Sequence, residues 1–156
     1  MKHIIIRQAN LADIAAIQNL NHELFKLEKK KYDSTLVTDW PLSADGKKYF
    51  RNLIKNGYVI VATDSGAIIG YLAGSINDRG TYSLVQYGEI NNMFVDEKYR
   101  GCGVGTALVN DFKKYCAGKK IKNFKVVASA RNKAAIKFYR AMGFGEFDIT
   151  MATPIK

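Results

Sequence analysis

The segment YRGCGVGTALV at residues 99–109 contains three alternate glycines between a predicted strand and a predicted helix. The first turn of a helix has unpaired N–H groups and the positive end of the helix dipole, which together bind phosphate. Glycine at positions 101, 103 and 105 would let a pyrophosphate approach the backbone without a Cβ clash. The segment therefore predicts a phosphate-binding turn. A flexible turn with only a capping role is the alternative.

Two common nucleotide-binding patterns do not fit this turn. A P-loop ends in Gly-Lys-Ser/Thr, whereas Gly105 is followed by Thr106 and Ala107. The dinucleotide fingerprint G-x-G-x-x-G would need a third glycine at position 106 or 108, where Thr106 and Leu108 stand. The spacing excludes both patterns.

Hydrophobic periodicity predicts the elements on either side of the turn. The predicted strands are residues 3–8, 58–63, 67–76, 84–95 and 125–129, with a closing strand or hairpin at 144–153. The predicted helices follow Asn10 as an N-cap, span 44–55, begin near Gly103 and span 133–142 after Asn132 as an N-cap. This β-α-α-β-β-β-α-β-α-β order mixes hairpins with crossover helices. It favours an α/β fold with a mixed, largely antiparallel sheet flanked by helices.

Length and composition limit the class of protein. The 156 residues predict one domain, 1–156, and no apolar run approaches the roughly 18 residues of a membrane span. The run from Ile4 to Ile6 is too short for a signal-peptide core. Two cysteines and two histidines without ligand spacing predict a cytoplasmic protein with no disulfide framework and no metal. The net charge of +10 favours a polyanionic partner, which could be nucleic acid, a membrane surface or a phosphate-bearing cofactor.

Residues 89–144 resemble the core of the GNAT superfamily of acyl-CoA-dependent N-acetyltransferases. Three motifs carry the resemblance: the strand EINNMFV at 89–95, RGCGVG at 100–105, and NKAAIKFYRAMGF at 132–144. The second matches the family's Arg/Gln-x-x-Gly-x-Gly/Ala, and the third its Asn-x-x-Ala-x-x-Phe-Tyr-x-x-x-Gly-Phe. The resemblance implies the GNAT fold, with a central sheet of six to seven strands and about four helices.

The resemblance also implies an activity, the transfer of acetyl from acetyl-CoA to a primary amine by direct attack. In the family the central strand splays from the next strand, often at a β-bulge, and the pantetheine arm pairs with the exposed edge. One backbone N–H there would polarise the thioester carbonyl. The residues implied to bind acetyl-CoA are Met93, Phe94, Val95, Arg100, Gly101, Cys102, Gly103, Val104, Gly105, Thr106, Asn132 and Tyr139.

Two residues align with catalytic positions of the family. Glu89 aligns with the general base of some members, and Tyr139 with the general acid that protonates the leaving thiolate. The alternatives are a solvated or substrate-binding carboxylate for Glu89 and a packed aromatic ring for Tyr139. Cys102 is rejected as a nucleophile because such turns bind phosphate through their backbone. His22 is expected to be packed or solvated.

Basic residues are candidates for a contact with the coenzyme, and aromatic residues are candidates for the walls of the acceptor site. Lys133, Lys137 and Arg140 share one helical face, and one or two of them are expected to meet the 3′-phosphate of coenzyme A. The expected acceptor walls include Phe25, Tyr32, Trp40, Tyr82 and Tyr87. The run KKK at 29–31 disfavours strongly cationic acceptors and leaves small amines, amino acids and protein N-termini open.

Two other functions stay open at this point. One is a non-catalytic acyl-CoA-binding module of the same fold, which the joint presence of Glu89 and Tyr139 disfavours. The other is a basic nucleic-acid-binding domain, which lacks support because no nucleic-acid fold motif or array of stacking aromatics accompanies the lysines. A homodimer is left open, and no membrane partner is expected.

Overall fold

The computed structural model describes residues 3–77, 80–81 and 83–153. The strands among them are β1 (Ile4–Gln8), β2 (Tyr58–Asp64), β3 (Ala67–Ile76), β4 (Tyr87–Val95) and β5 (Asn123–Val126). The α-helices are α1 (Ile14–Lys31), α2 (Ala44–Asn56), α3 (Val104–Gly118) and α4 (Lys133–Ala141). The strands lie side by side in chain order, antiparallel from β1 to β4 and parallel between β4 and β5. The predicted fold class and the four helices are confirmed.

Two hydrophobic layers cover the two faces of the sheet because β2 and β3 alternate their buried side chains. Val59, Val61 and Tyr71 pack with residues of α1 and α2 on one face. On the other face, Ile60 and Leu72 belong to the cluster that α3 and α4 complete. Each helix pair is therefore fixed to its own side of the sheet.

The start of α1 is held by the predicted cap. Ala12 N–H donates to Asn10 Oδ1 at 2.8 Å, and Asn10 N–H donates to Asp13 Oδ2 at 2.8 Å. The Arg7 guanidinium also binds Asp13, and it holds the pKa of that buried carboxyl below its usual range. A short 3-10 turn at Leu11–Asp13 precedes the helix, so the predicted cap is correct and the α-helix proper begins three residues later.

The C-terminal segment differs from the prediction. Among the described residues the sheet has five strands rather than six or seven, and residues 144–153 form no strand. The apolar residues that suggested one, Phe147, Ile149 and Met151, are 70%, 86% and 89% exposed. An alternating pattern forms a strand only where a neighbour supplies hydrogen bonds, and β5 is paired over only four residues. The same short pairing explains why the strand predicted at 125–129 is found at Asn123–Val126.

Two further observations concern the start of β4 and the length and hydropathy of the helices. Strand β4 begins at Tyr87 rather than at Leu84, which is 93% exposed. Across the described residues, no helix is both long enough and apolar enough to cross a membrane.

Gly74 lets α3 pack closely against β3. A Cβ at this position would lie 2.6 Å from two ring carbons of Phe112, which is fully buried. Gly74 also sits beside the irregularity in the β3–β4 register, where it faces Ile90. The absence of a side chain at residue 74 therefore sets how closely α3 approaches the part of β4 that leads into the site.

We expect Gly74→Ala to lower the free energy of unfolding by about 1–3 kcal/mol, because an extra carbon in a filled core forces neighbours to move. Urea denaturation measures the change. Gly118→Ala is the matched control, since nothing lies within 4 Å of its added Cβ at the end of α3. That control should be neutral or stabilising by up to about 1 kcal/mol. Equal destabilisation by both variants would contradict this account of the packing.

Candidate active site

The strand β4 carries a bulge and then parts from β5. Ala73 pairs with Asn92 and Gly74 with Ile90, so Asn91 is an extra residue in β4. The pairing of β4 with β5 covers only Tyr87–Ile90 against Asn123–Val126. In the described part of the chain, no strand pairs with the β5-facing edge of β4 beyond Ile90. This gap, which we call the splay, has as one wall the edge that contains Met93, Phe94 and Val95.

The glycine turn leads from β4 into α3 with its backbone open to a ligand. Gly101 and Gly103 have φ values of +74° and +81°, a conformation that favours glycine, and an added Cβ at either would meet no atom within 4 Å. The first amide of α3 with a helical acceptor is that of Ala107, which donates to Gly103 O at 2.9 Å. The amides of Val104, Gly105 and Thr106 precede it and are the ones that a helix start offers to phosphate.

Two contacts fix the position of this turn. Arg100 Nε donates to Val95 O at 3.0 Å, and its guanidinium lies 5.2 Å from the centre of the Phe94 ring. At Gly105, a Cβ would come within 3.3 Å of the Phe138 ring, so α3 and α4 touch here. Cys102 is exposed and unbonded to another cysteine. The turn is therefore tied to the end of β4 and to α4.

Helix α4 places Tyr139 deep in the protein. Asn132 caps the helix by accepting from Ala135 N–H at 3.0 Å, as predicted, and its role toward a ligand stays a prediction. The Tyr139 ring packs between Phe138 and Phe144, with ring centres 5.1 and 5.5 Å away, and is 9% exposed. Burial, with a smaller contribution from Glu28, raises the pKa of Tyr139 to about 12. The phenol is therefore neutral across the physiological range.

Glu89 lies on the α1/α2 face of β4 and already has polar partners. Asn77 Nδ2 donates to its carboxylate, and Lys125 Nζ on β5 lies 3.4 Å from Glu89 Oε2. The Glu89 side chain is 20% exposed, so it is accessible to a small molecule. The predicted base is thus a partly covered carboxylate beside a lysine.

A buried hydrogen-bond network joins this carboxylate's face to the helices. Asn21 of α1 is fully buried, and its Nδ2 donates to the Tyr71 hydroxyl at 2.8 Å and to Asn92 Oδ1 at 3.0 Å. Asn92 Nδ2 donates to the Tyr49 hydroxyl of α2 at 2.9 Å. Burial is the largest cause of the raised pKa of Tyr49, and the nearby charge of Glu89 also raises it. The network locks α1 and α2 onto β4 just after the bulge.

Sequence reasoning did not single out Glu28, which the structure places near Tyr139. It stands two helical turns after Asn21, on the same inner stripe of α1. Burial, with a smaller contribution from Asp33, raises the pKa of the Glu28 carboxyl. The i, i+7 spacing from a polar residue facing the sheet is the one signal in the sequence that points to it.

The predicted acceptor walls separate into packed rings and rim residues. Phe25 stacks on Trp40 at 5.8 Å, and Trp40 meets Tyr49 edge to face at 5.6 Å. Tyr87 contacts Phe147 at 5.8 Å, and Tyr32 lines a surface pocket. Tyr82 lies outside the described residues. Phe25 and Trp40 therefore form an aromatic row between α1 and α2, and their contact with an acceptor stays a prediction.

Other singled-out residues lie away from the splay or are already engaged. His22 Nε2 is 3.1 Å from Asp39 Oδ1, which accounts for it as a surface pair. Arg140 binds Glu146, so Lys133 and Lys137 are the freer candidates for the 3′-phosphate of coenzyme A. Among the described residues, no three His, Cys, Asp or Glu side chains cluster closely enough to hold a metal ion.

Comparison with known proteins decides the family. Residues 15–144 match the family model described as "Acetyltransferase (GNAT) family". The chain belongs to the GNAT acetyltransferase family. An uncharacterised N-acetyltransferase of Methanocaldococcus jannaschii is 31% identical over 104 residues, which are 65% of this chain. The aligned part spans 46% of the length of that archaeal protein.

Solved structures share the fold of this GNAT chain. A mutant protein from Bacillus halodurans superposes with a TM-score of 0.86 at 20% identity, covering 97% of this chain and 99% of its own. The aminoglycoside acetyltransferase AAC(6')-Iy, solved with a bisubstrate analogue of coenzyme A, superposes with a TM-score of 0.74 at 20% identity and covers 99% of both chains. At this identity the likeness concerns the fold alone.

Proposed function

We propose that this GNAT chain transfers the acetyl group of acetyl-CoA to a primary amine by direct attack of the amine on the thioester. The observation that supports it most is the unpaired edge of β4 followed directly by the open glycine turn at the start of α3, with Tyr139 in the hydrophobic cluster that Val104 of α3 also joins. The AAC(6')-Iy complex shows a relative of the same fold with a coenzyme A adduct bound.

The backbone of this chain suits such a ligand. A pantetheine arm carries amide groups that can pair with the β4 edge as an added strand would. One backbone N–H among residues 93–95 would then face the thioester carbonyl and stabilise the negative charge that develops on its oxygen. Within residues 100–106, the amides at the start of α3 and the open backbone at Gly101 and Gly103 would bind the pyrophosphate.

The side chains account for the protons. The amine arrives as an ammonium ion, and Glu89 accepts one proton, directly or through water, so that a nitrogen lone pair can attack. A C–N bond forms and the C–S bond breaks. Tyr139 donates its proton to the departing sulfur, and the second proton of the amine restores the phenol. One proton in total passes to solvent.

Burial gives Tyr139 two properties that suit this role. With a pKa of about 12 it stays a neutral donor, and in a water-poor setting its hydrogen bond to a developing thiolate is stronger than in water. Glu28, whose charge is felt at Tyr139, would hold the incoming ammonium group.

We expect Tyr139→Phe to lower kcat by about 10²–10⁴-fold, because the thiolate then leaves without a proton donor. A thiol-release assay measures turnover, and a thermal shift with acetyl-CoA checks that binding persists. Tyr115→Phe is the control. Tyr115 belongs to α3 and stacks on Tyr58 of β2, so this variant should leave the rate unchanged. Full turnover by Tyr139→Phe would rule out the acid role.

The pH dependence of the wild-type enzyme gives a separate test. Wild-type kcat should show no alkaline decline from Tyr139 below pH ~10, because a group of pKa about 12 is then about 1% ionised.

The two carboxylates should respond differently to neutralisation. We expect Glu89→Gln to lower kcat by about 10²-fold at pH 7, with recovery at higher pH as solution deprotonates the amine. Glu28→Gln should mainly raise the KM for the amine, because it removes an ammonium contact rather than a proton acceptor. Steady-state kinetics across pH distinguish these effects. The reverse pattern would move the base role from Glu89 to Glu28.

A further inference from the structure

A concave basic pocket lies at the end of α1, next to the residue that precedes the cap of α4. It encloses ≈ 350 Å³ and is lined by Lys29, Lys30, Lys31, Tyr32, Asp33, Ser34 and Arg131. It joins two parts of the chain 99 residues apart, since Arg131 Nη1 lies 3.5 Å from Tyr32 O. Lys29 Nζ donates to Leu36 O at 2.8 Å, which folds the loop after α1 around the pocket.

The charges in this pocket are unbalanced. Within the described residues, no carboxylate forms an ion pair with any of its four cations. The carboxylate that lines the pocket, Asp33, is engaged by Thr35, whose N–H and hydroxyl donate to Asp33 Oδ1 at 3.0 and 2.5 Å. The same hydrogen bonds hold the pKa of Asp33 below its usual value. The pocket therefore presents an excess of positive charge to a ligand.

Two chain connections link this pocket to Glu28 and to the start of α4. Lys29 follows Glu28 directly, and Arg131 directly precedes Asn132, the cap of α4. From Glu28 to Lys31 is about one helical turn, or roughly 5 Å along the axis. A further cation outside the pocket, Lys125, lies 3.4 Å from Glu89 Oε2. An acceptor would meet carboxylates near its amine and cations around it.

We propose that the acceptor amine carries a carboxylate, and that this carboxylate binds in the pocket of Lys29–Lys31 and Arg131 while the amine faces the splay. The proposal rests on the proposed function and names its substrate class as amines bearing an anionic group, such as ω-amino acids or short acidic peptides. Lys125 Nζ lies 3.4 Å from Glu89 Oε2, and its positive charge there disfavours a polyamine acceptor. The chain thus differs from its aminoglycoside-acetylating relative in the charge of its acceptor.

Matched acceptors test this directly in the full chain. We expect kcat/KM for 6-aminohexanoate to exceed that for hexylamine by at least about 10-fold, and L-lysine to exceed cadaverine similarly, because each pair differs only by the carboxylate. Arg131→Gln should raise the KM for 6-aminohexanoate about 10-fold and leave that for hexylamine unchanged. Lys114→Gln, an exposed lysine of α3, is the control and should change neither. Cadaverine or hexylamine as the better substrate would overturn the proposal.

A second arm separates the acceptor from the coenzyme. If Arg131→Gln raises the KM for acetyl-CoA instead of that for the acceptor, the pocket binds a phosphate of the coenzyme and the proposal is wrong. The double variant Lys30→Gln/Lys31→Gln makes the same test without touching the Arg131–Tyr32 contact. If no amine is acetylated, calorimetric titration of 6-aminohexanoate into the protein with coenzyme A still decides. Binding that is lost in Arg131→Gln supports the pocket, and equal binding by both proteins refutes it.

Discussion

The parting of β4 from β5 after Ile90 is the constraint on which the rest of the site depends. A strand edge inside a protein needs hydrogen-bond partners. Beyond the bulge at Asn91, β4 is still paired with β3 on one edge, but no longer with β5 on the other. The bulge also keeps Glu89, Asn92 and Phe94 on the face covered by α1 and α2. In the proposed function the unpaired edge would serve as a template for a ligand with amide groups.

Rigidity at this point comes from packing on one face and from polar contacts on the other. Below the sheet, Gly74 lets Phe112 approach β3 closely. Above it, Asn21 ties Tyr71 and Asn92 together, and Asn92 reaches Tyr49. A buried network of this kind specifies one arrangement, because breaking any member leaves unpaired polar groups away from water. Both devices hold the strand that must keep its shape when a substrate binds.

Charge is distributed around the splay in a way that suits proton transfer and selection among acceptors. In the proposed mechanism Glu28 and Glu89 would supply negative charge near the reacting nitrogen, and burial keeps Tyr139 neutral. Lys125 beside Glu89 and the basic pocket at the end of α1 add positive charge. The net charge of +10 therefore has a local component at the site, besides the phosphate-binding role that the sequence suggested.

Sequence could predict the features that local chemistry decides. The glycine turn, the Asn10 and Asn132 caps and the four helices follow from residues within a few positions of each other. It failed where distant partners decide: no sequence signal pairs Asn21 with Asn92, 71 residues away, or places Glu28 near Tyr139. The C-terminal strand was predicted from an alternating pattern whose neighbour, β5, ends at Val126. Patterns report what a segment can form, and the available partner determines what it does form.

Amide hydrogen exchange with and without acetyl-CoA tests whether the splay is the coenzyme site. The account predicts that acetyl-CoA slows exchange at residues 92–95 and at residues 101–106, because the pantetheine arm covers the β4 edge and the pyrophosphate covers the turn. Amides of β1 and of β2, which are paired in the sheet, should be unchanged and serve as an internal reference. Unchanged exchange at residues 92–95 under saturating acetyl-CoA would contradict the claim that the splay is the coenzyme site.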